Sequence, residues 1–398
     1  MNVDELVRDS LREQAAETVP VPPGFADRVL TARRRRRTRT LASVAAATAA
    51  VVAIAVAVPL LGSGKDDVRL ASEKNKSDII AHPDQSPPRD LIAAGDTALA
   101  AYYTYSIDKQ TKDRGVRART YWLLNQKTGK YEKTTKWSFM DIAPGLRTAA
   151  VLEKDLPAKR IGLLDLFTGD VRWIPVDRGV AGVEFSPDGS KLVATTYSEN
   201  PDLVYKADYD SDGDGKKNDW MPQWGQSDRT GFYVIDVDSG EGSWSGVTSN
   251  VDDLNVRQDF GFSHDGKLVY GGLTTDPHMQ YYDLDGNEVD KPANEKYRHW
   301  INDAGLSPNG KLVADNGMVL DANTGKVVTK VEGAQEPLGW ADDERLVVWG
   351  CDPCNGRNEY RNRLLLVTIG SDNVVPLSDF RKASADYPGR WVPMFSER

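Results

Sequence analysis

The chain has 398 residues, 40% of them hydrophobic and 27% charged, with a formal charge of -9, so it can bury a substantial core. Residues 1–40 carry nine Arg against six acids, leaving -12 on the rest, and an acidic globular part excludes nucleic acid as its partner, because phosphate binding needs clustered Lys and Arg. The two cysteines, Cys351 and Cys354, exclude a disulfide framework and a four-Cys zinc site.

Val3, Leu6, Val7 and Leu11 recur at helical spacing, which predicts a short amphipathic helix over 3–16 within a cytoplasmic leader, residues 1–40. Residues Leu41 to Leu61 hold no charge and, at about 1.5 Å per residue, reach about 31 Å, the thickness of a bilayer core. The run Arg33 to Arg37 before them should stay cytoplasmic, so the expectation is a single transmembrane helix at 41–61 with everything after it outside the cytoplasm. A cleaved signal peptide is the competing reading, since Ala55-Val56-Ala57 offers a small-x-small site, but both the leader and the apolar run are long for one. Residues 62–90 are polar, with Pro83, Pro87 and Pro88, and read as a linker. The order of short cytoplasmic helix, span and exterior domain resembles membrane-bound anti-sigma factors, without the His and Cys zinc ligands common in their cytoplasmic domains.

From residue 91 onward, short β-rich runs alternate with two kinds of turn. One is clearest at Phe185-Ser186-Pro187-Asp188-Gly189 and returns at Phe262-Ser263-His264-Asp265-Gly266 and Leu306-Ser307-Pro308-Asn309-Gly310, with degenerate copies at Ala94, Ala143 and Ala341. The other ends in Gly129, Gly169, Gly240, Gly286, Gly325 and Gly370, spaced 40, 71, 46, 39 and 45 residues apart. Six of each, strictly alternating, predict six units of two hairpins, and a period near forty with four short strands is the signature of propeller blades. The run Phe-Ser-Pro-Asp-Gly-Ser-Lys-Leu at 185–192 is similar to the repeat of TolB-like propellers, the WD-like group. That resemblance implies an all-β, six-bladed β-propeller with four-stranded antiparallel blades over 91–398, and leaves function open because the repeat serves many roles. Trp391 to Ser396 looks like an inner strand with nothing after it, so it is expected to close the first blade against residues near 97–105; Asp90 to Ala93 is the alternative occupant.

The 71-residue gap contains a surplus at 198–230 carrying Asp208, Asp210, Asp212, Gly213, Asp214, Asn218 and Asp219. Asp at every second position with Gly at the bend suits a calcium ion, in a register starting at Asp208 (with Asp210, Asp212 and Asp219) or at Asp210 (with Asp212, Asp214 and Asn218). A solvated acidic loop is the plainer reading. Cys351 and Cys354, in the corresponding loop of the last unit, are expected to form a disulfide outside the cytoplasm. No Gly-x-Ser-x-Gly elbow, P-loop or Gly-x-Gly-x-x-Gly occurs, and the four His show no metal spacing. Two classes of function remain: a non-catalytic binding, scaffold or sensing module that takes an unknown protein or small molecule on its loop face, and a propeller enzyme, hydrolase-like, of unidentified chemistry. The acidic insertion, the Cys351 loop and the polar stretch Asp108 to Arg119 are expected on one rim.

Overall fold

The computed structural model describes residues 78–398, apart from 211–215, 223–227, 248–256, 274–276, 300–302, 316, 332, 352–361 and 382–389. The leader, the apolar run Leu41 to Leu61 and residues 62–77 lie outside the described residues; among those described, no helix is long and apolar enough to cross a membrane. The described chain is all-β, with one short 3₁₀ turn at Ala293–Glu295.

Strands pair mainly with their neighbours in sequence. Phe139–Ile142, Thr148–Leu152 and Ala158–Asp165 form a meander that continues onto the first half of Val171–Phe185. The second half of that long strand starts the next meander, pairing Phe185 with Leu192 and leading to Lys191–Tyr197, Arg229–Asp236 and Gly242–Gly246. Further meanders run from Phe260–Phe262 to Glu288–Val289, from Leu312–Asp315 to Val327–Lys330, and from Ala334–Trp340 to Val374–Pro376. Among the described strands, Trp391–Glu397 jumps the length of the domain to pair with Thr97–Lys109, in register from Trp391↔Thr104 to Glu397↔Thr97. The place expected for the C-terminal strand is therefore the one it takes, and Ala93–Ala94 pairs with Thr97 and Ala98 instead.

The turns explain why the hairpins form. Ser186 Oγ accepts from Lys191 N (2.9 Å) and donates to Asp188 Oδ1 (2.6 Å), while Gly189, at φ +70°, supplies the left-handed residue that closes the turn. In the second kind, the Asp165 carboxylate accepts from Phe167 N and Thr168 N, an Asx turn ahead of Gly169.

Several strands are apolar on both faces, because their sheets pack against a neighbouring sheet on either side. One core joins Tyr121 and Leu124 to Met140 and Val151, the next joins Leu152 and Ile161 to Phe185 and Leu192, and another joins Val193 and Phe232 to Phe260 and Phe262. Val319 packs on Trp340 and Leu346, and the last core joins Trp349 and Leu364 to Leu99, Tyr102 and Trp391, so the last meander packs against the first. Small residues such as Ala98, Ala101, Ala149 and Ala150 let the sheets approach closely.

Residues 78–90, which composition assigns to the linker, are held in this seam. Ile79 pairs with Ala94, His82 N donates to Leu377 O (2.9 Å), and Trp391 Nε1 donates to Ser86 Oγ (3.0 Å). The prolines there shape an ordered segment, so composition alone misplaces the boundary.

Candidate functional site

The hairpin of Thr97–Lys109 and Arg114–Asn125 is longer than the sheet it belongs to, and its far half stands free of that sheet. The stretch Asp108 to Arg119, expected as a polar loop, is thus mostly strand, with its turn at 110–113. Backbone groups on a projecting edge need partners. They find them in Leu203–Lys206, which pairs Leu203↔Val116, Val204↔Gly115 and Tyr205↔Arg114, and in turn pairs with Trp220–Pro222. Gly115 is required at the crossing, since a Cβ there would lie 2.7 Å from Ile107 Cγ2. Within the insertion between Tyr197 and Arg229, Leu203–Lys206 and Trp220–Pro222 therefore form a ribbon laid along the first hairpin, which joins two of the three elements expected on one rim.

A buried charge network fastens the ribbon. Arg119 makes a forked contact with Asp202 (Nη1–Oδ2 2.6 Å, Nη2–Oδ1 3.0 Å), and Arg257 Nη1 donates to the same Oδ2 at 2.8 Å. Arg257 Nε donates to Asp259 (2.9 Å), which also accepts from the Tyr197 hydroxyl (2.9 Å). The side chains of Arg119 and Asp202 are 4% and 3% exposed. Both guanidiniums lie over the Phe139 ring, at 5.2 and 4.0 Å from its centroid. Burial alone would raise the Asp202 carboxyl, but the Arg257 and Arg119 guanidiniums outweigh it and hold it at about 2.

A second set of carboxyls lies on strands that start successive meanders. Asp141 accepts from Phe185 N (2.7 Å) and Glu184 from Phe262 N (3.0 Å), each bridging to the next meander. Burial pushes Asp141 up to about 6, and burial with Asp141 beside it pushes Glu184 up to about 8. Asp303 is solvent-exposed, and its carboxyl is raised by the protein around it and by Glu336. A cavity of about 170 Å³ opens among Glu184, Phe262, His264, Arg298 and Asp303.

A carboxyl raised on folding contributes stability that is complete below its ordinary value and is lost as pH rises to the folded value. For Glu184 that window runs from about 4.5 to about 8. Glu184→Gln should therefore gain on the parent by roughly 2–4 kcal/mol between pH 5 and 8.5, allowing for partial solvent screening. Urea midpoints at the two pH values check this, and a parent–variant difference that does not change with pH would refute it.

Of the residues proposed for calcium, Asp208, Asp210, Asn218 and Asp219 lie in the loop joining the two ribbon strands, closed by Ala207 N to Asp219 O (2.9 Å). Asp212 and Asp214 lie outside the described residues. Among the described residues no three His, Cys, Asp or Glu converge as metal ligands. Cys351 follows Arg345–Gly350 and its N–H donates to Gly333 O (3.0 Å), while Cys354 lies outside the described residues. Sequence reasoning missed Arg119, Asp202 and Arg257. They belong to no repeat and meet from three separate stretches of chain, and the only signal was the insertion that carries Asp202.

No family model matches the chain, and no curated protein does. Among solved structures, TolB from Acinetobacter baumannii is 15% identical with a TM-score of 0.41, covering 77% of this chain and 68% of that one. Kuenenia stuttgartiensis hydrazine synthase is 16% identical with a TM-score of 0.34, covering 67% and 83%.

Proposed function

We propose that this chain is a membrane-anchored, extracytoplasmic six-bladed β-propeller of the TolB-like kind, acting as a non-catalytic binding or scaffold module through the rim that carries the ribbon. The ring rests on the seam, where the C-terminal strand completes the first sheet and Trp349, Leu364 and Trp391 pack on Leu99 and Tyr102. The single observation that carries the binding role is the ribbon itself. A rigid scaffold spends a buried ion network on holding two long surface elements together, and such elements are where recognition residues concentrate. Calcium in the ribbon's acidic loop would stiffen this surface, and a Cys351–Cys354 disulfide would close a loop of the last blade.

A hydrolase-like reading draws on Asp141, Glu184 and Asp303, whose raised carboxyls suit general acid work. Asp141 and Glu184, however, already accept backbone N–H groups of the next meander, a structural duty that accounts for their burial.

Two measurements test the proposal. Calorimetry on the purified protein should show calcium uptake with Kd of order 10⁻⁴ to 10⁻³ M, as in extracellular modules, lost in Asp210→Ala and Asp212→Ala. No uptake at millimolar calcium reduces the acidic run to a solvated loop. Protease added to intact spheroplasts should digest residues 78–398 and spare an N-terminal tag; a tag digested from outside would reverse the topology.

A further inference from the structure

The Arg119–Arg257 pair is, we propose, a carboxylate-binding site that the chain keeps plugged with its own Asp202, to be taken by the carboxylate of a peptide partner when the Leu203–Lys206 strand lifts. This rests on the rim reading and names the chemistry the rim recognises.

Three observations carry it. First, both guanidiniums are aimed by contacts that do not involve Asp202. Arg119 Nη1 donates to Ser138 O (3.0 Å) and its guanidinium lies 5.3 Å from the Tyr105 ring centroid, while Arg257 is held by Asp259 and by Ala181 O. With Asp202 withdrawn, the two Arg and Asp259 leave one positive charge facing a vacated, aromatic-floored niche, which a carboxylate neutralises. Second, three donors already converge on one carboxylate in the geometry that a foreign carboxylate would adopt. Third, Asp202 arrives on an insertion rather than on the meander framework. Its ribbon is tied to the first hairpin by three register pairs plus the bonds Arg117 N to Asp202 O (2.8 Å) and Lys206 N to Asp113 O (3.0 Å). A two-strand ribbon on a sheet edge opens locally at less cost than the sheet unfolds.

The test is hydrogen–deuterium exchange on the full-length protein in detergent, in sodium acetate against sodium chloride at equal ionic strength. Acetate should speed exchange at the Arg117 and Lys206 amides about threefold or more and leave the Val151 and Leu192 amides unchanged. A peptide with a free C-terminal carboxylate should act at lower concentration than its amidated form. In parallel, the unfolding temperature of Asp202→Ala should rise saturably with acetate and not with chloride. Equal effects of acetate and chloride in either arm would overturn the proposal and make Asp202 a fixed clasp. If Asp202→Ala does not fold, exchange in the unaltered protein decides alone. Calcium uptake that persists while the acetate effect is absent would sink this inference and leave the rim reading standing.

Discussion

Removing residues 390–398 should abolish cooperative folding of the domain. The segment supplies seven register pairs to Thr97–Lys109, and its Ser396 hydroxyl reaches Ile142 O and Ala143 O (both 3.1 Å) in the next meander. Trp391, 3% exposed, packs edge-on against Trp349 (4.7 Å between centroids) and Tyr102 (5.6 Å). Trp391→Ala alone should cost about 3–5 kcal/mol, a large share of the roughly 5–15 kcal/mol that holds a typical domain. The deletion also exposes an edge and two faces of core, which adds to that loss. Urea unfolding followed by tryptophan fluorescence checks both. A truncated protein that unfolds at the parent's midpoint would show the C-terminal strand to be dispensable.

Asp202→Ala should cost about 3–5 kcal/mol, because it strands two buried guanidiniums rather than merely deleting a bond. Asp202→Asn should cost less, since the amide oxygen still accepts from Arg119. The pH dependence has a definite sign. A carboxyl whose folded value is depressed contributes stability that is present above its ordinary value of 3.8 and lost as pH falls through the folded value of about 2. The gap between parent and Asp202→Ala should therefore be full at pH 6 and narrow by about 2.5 kcal/mol, without vanishing, between about pH 4 and pH 2. A gap that stays constant into acid would mean that the network contributes through packing and not through charge.

The turns make much of this fold legible in the sequence. Ser186-Pro187-Asp188-Gly189 states its own hydrogen bonds, a hydroxyl and a carboxylate serving backbone N–H groups ahead of a left-handed Gly, and Asp165 does the same in the alternate turn. Such local chemistry repeats because every hairpin needs it. The terminal strand was legible for a related reason: Trp391 to Ser396 lacks a hairpin partner of its own and must borrow an edge. What sequence did not disclose depends on one-off, long-range pairing. Nothing in Leu203 to Lys206 names Arg114 to Val116 as its partner, and an isolated Asp202 looks like any loop acid until two guanidiniums are found on it. Residues 78–90 hid differently, because a proline-rich polar stretch has the same composition whether it is a tether or is pinned in a seam.

The strand Thr97–Lys109 has thirteen residues, which at about 3.3 Å each separates its ends by roughly 40 Å. The described chain enters at the near end, where Asp78 pairs with Arg345 (2.5 Å) and its carbonyl accepts from Gly95 N (2.9 Å); the ribbon sits at the far end. Entry point and ribbon therefore occupy opposite poles of one strand. A fluorophore, a biotin or a surface linkage placed just before Asp78 would orient every molecule alike and leave the ribbon pole clear, whereas the same handle inserted near 110–113 would obstruct it. Immobilised binding measurements on this protein should be coupled through its N-terminal side for that reason.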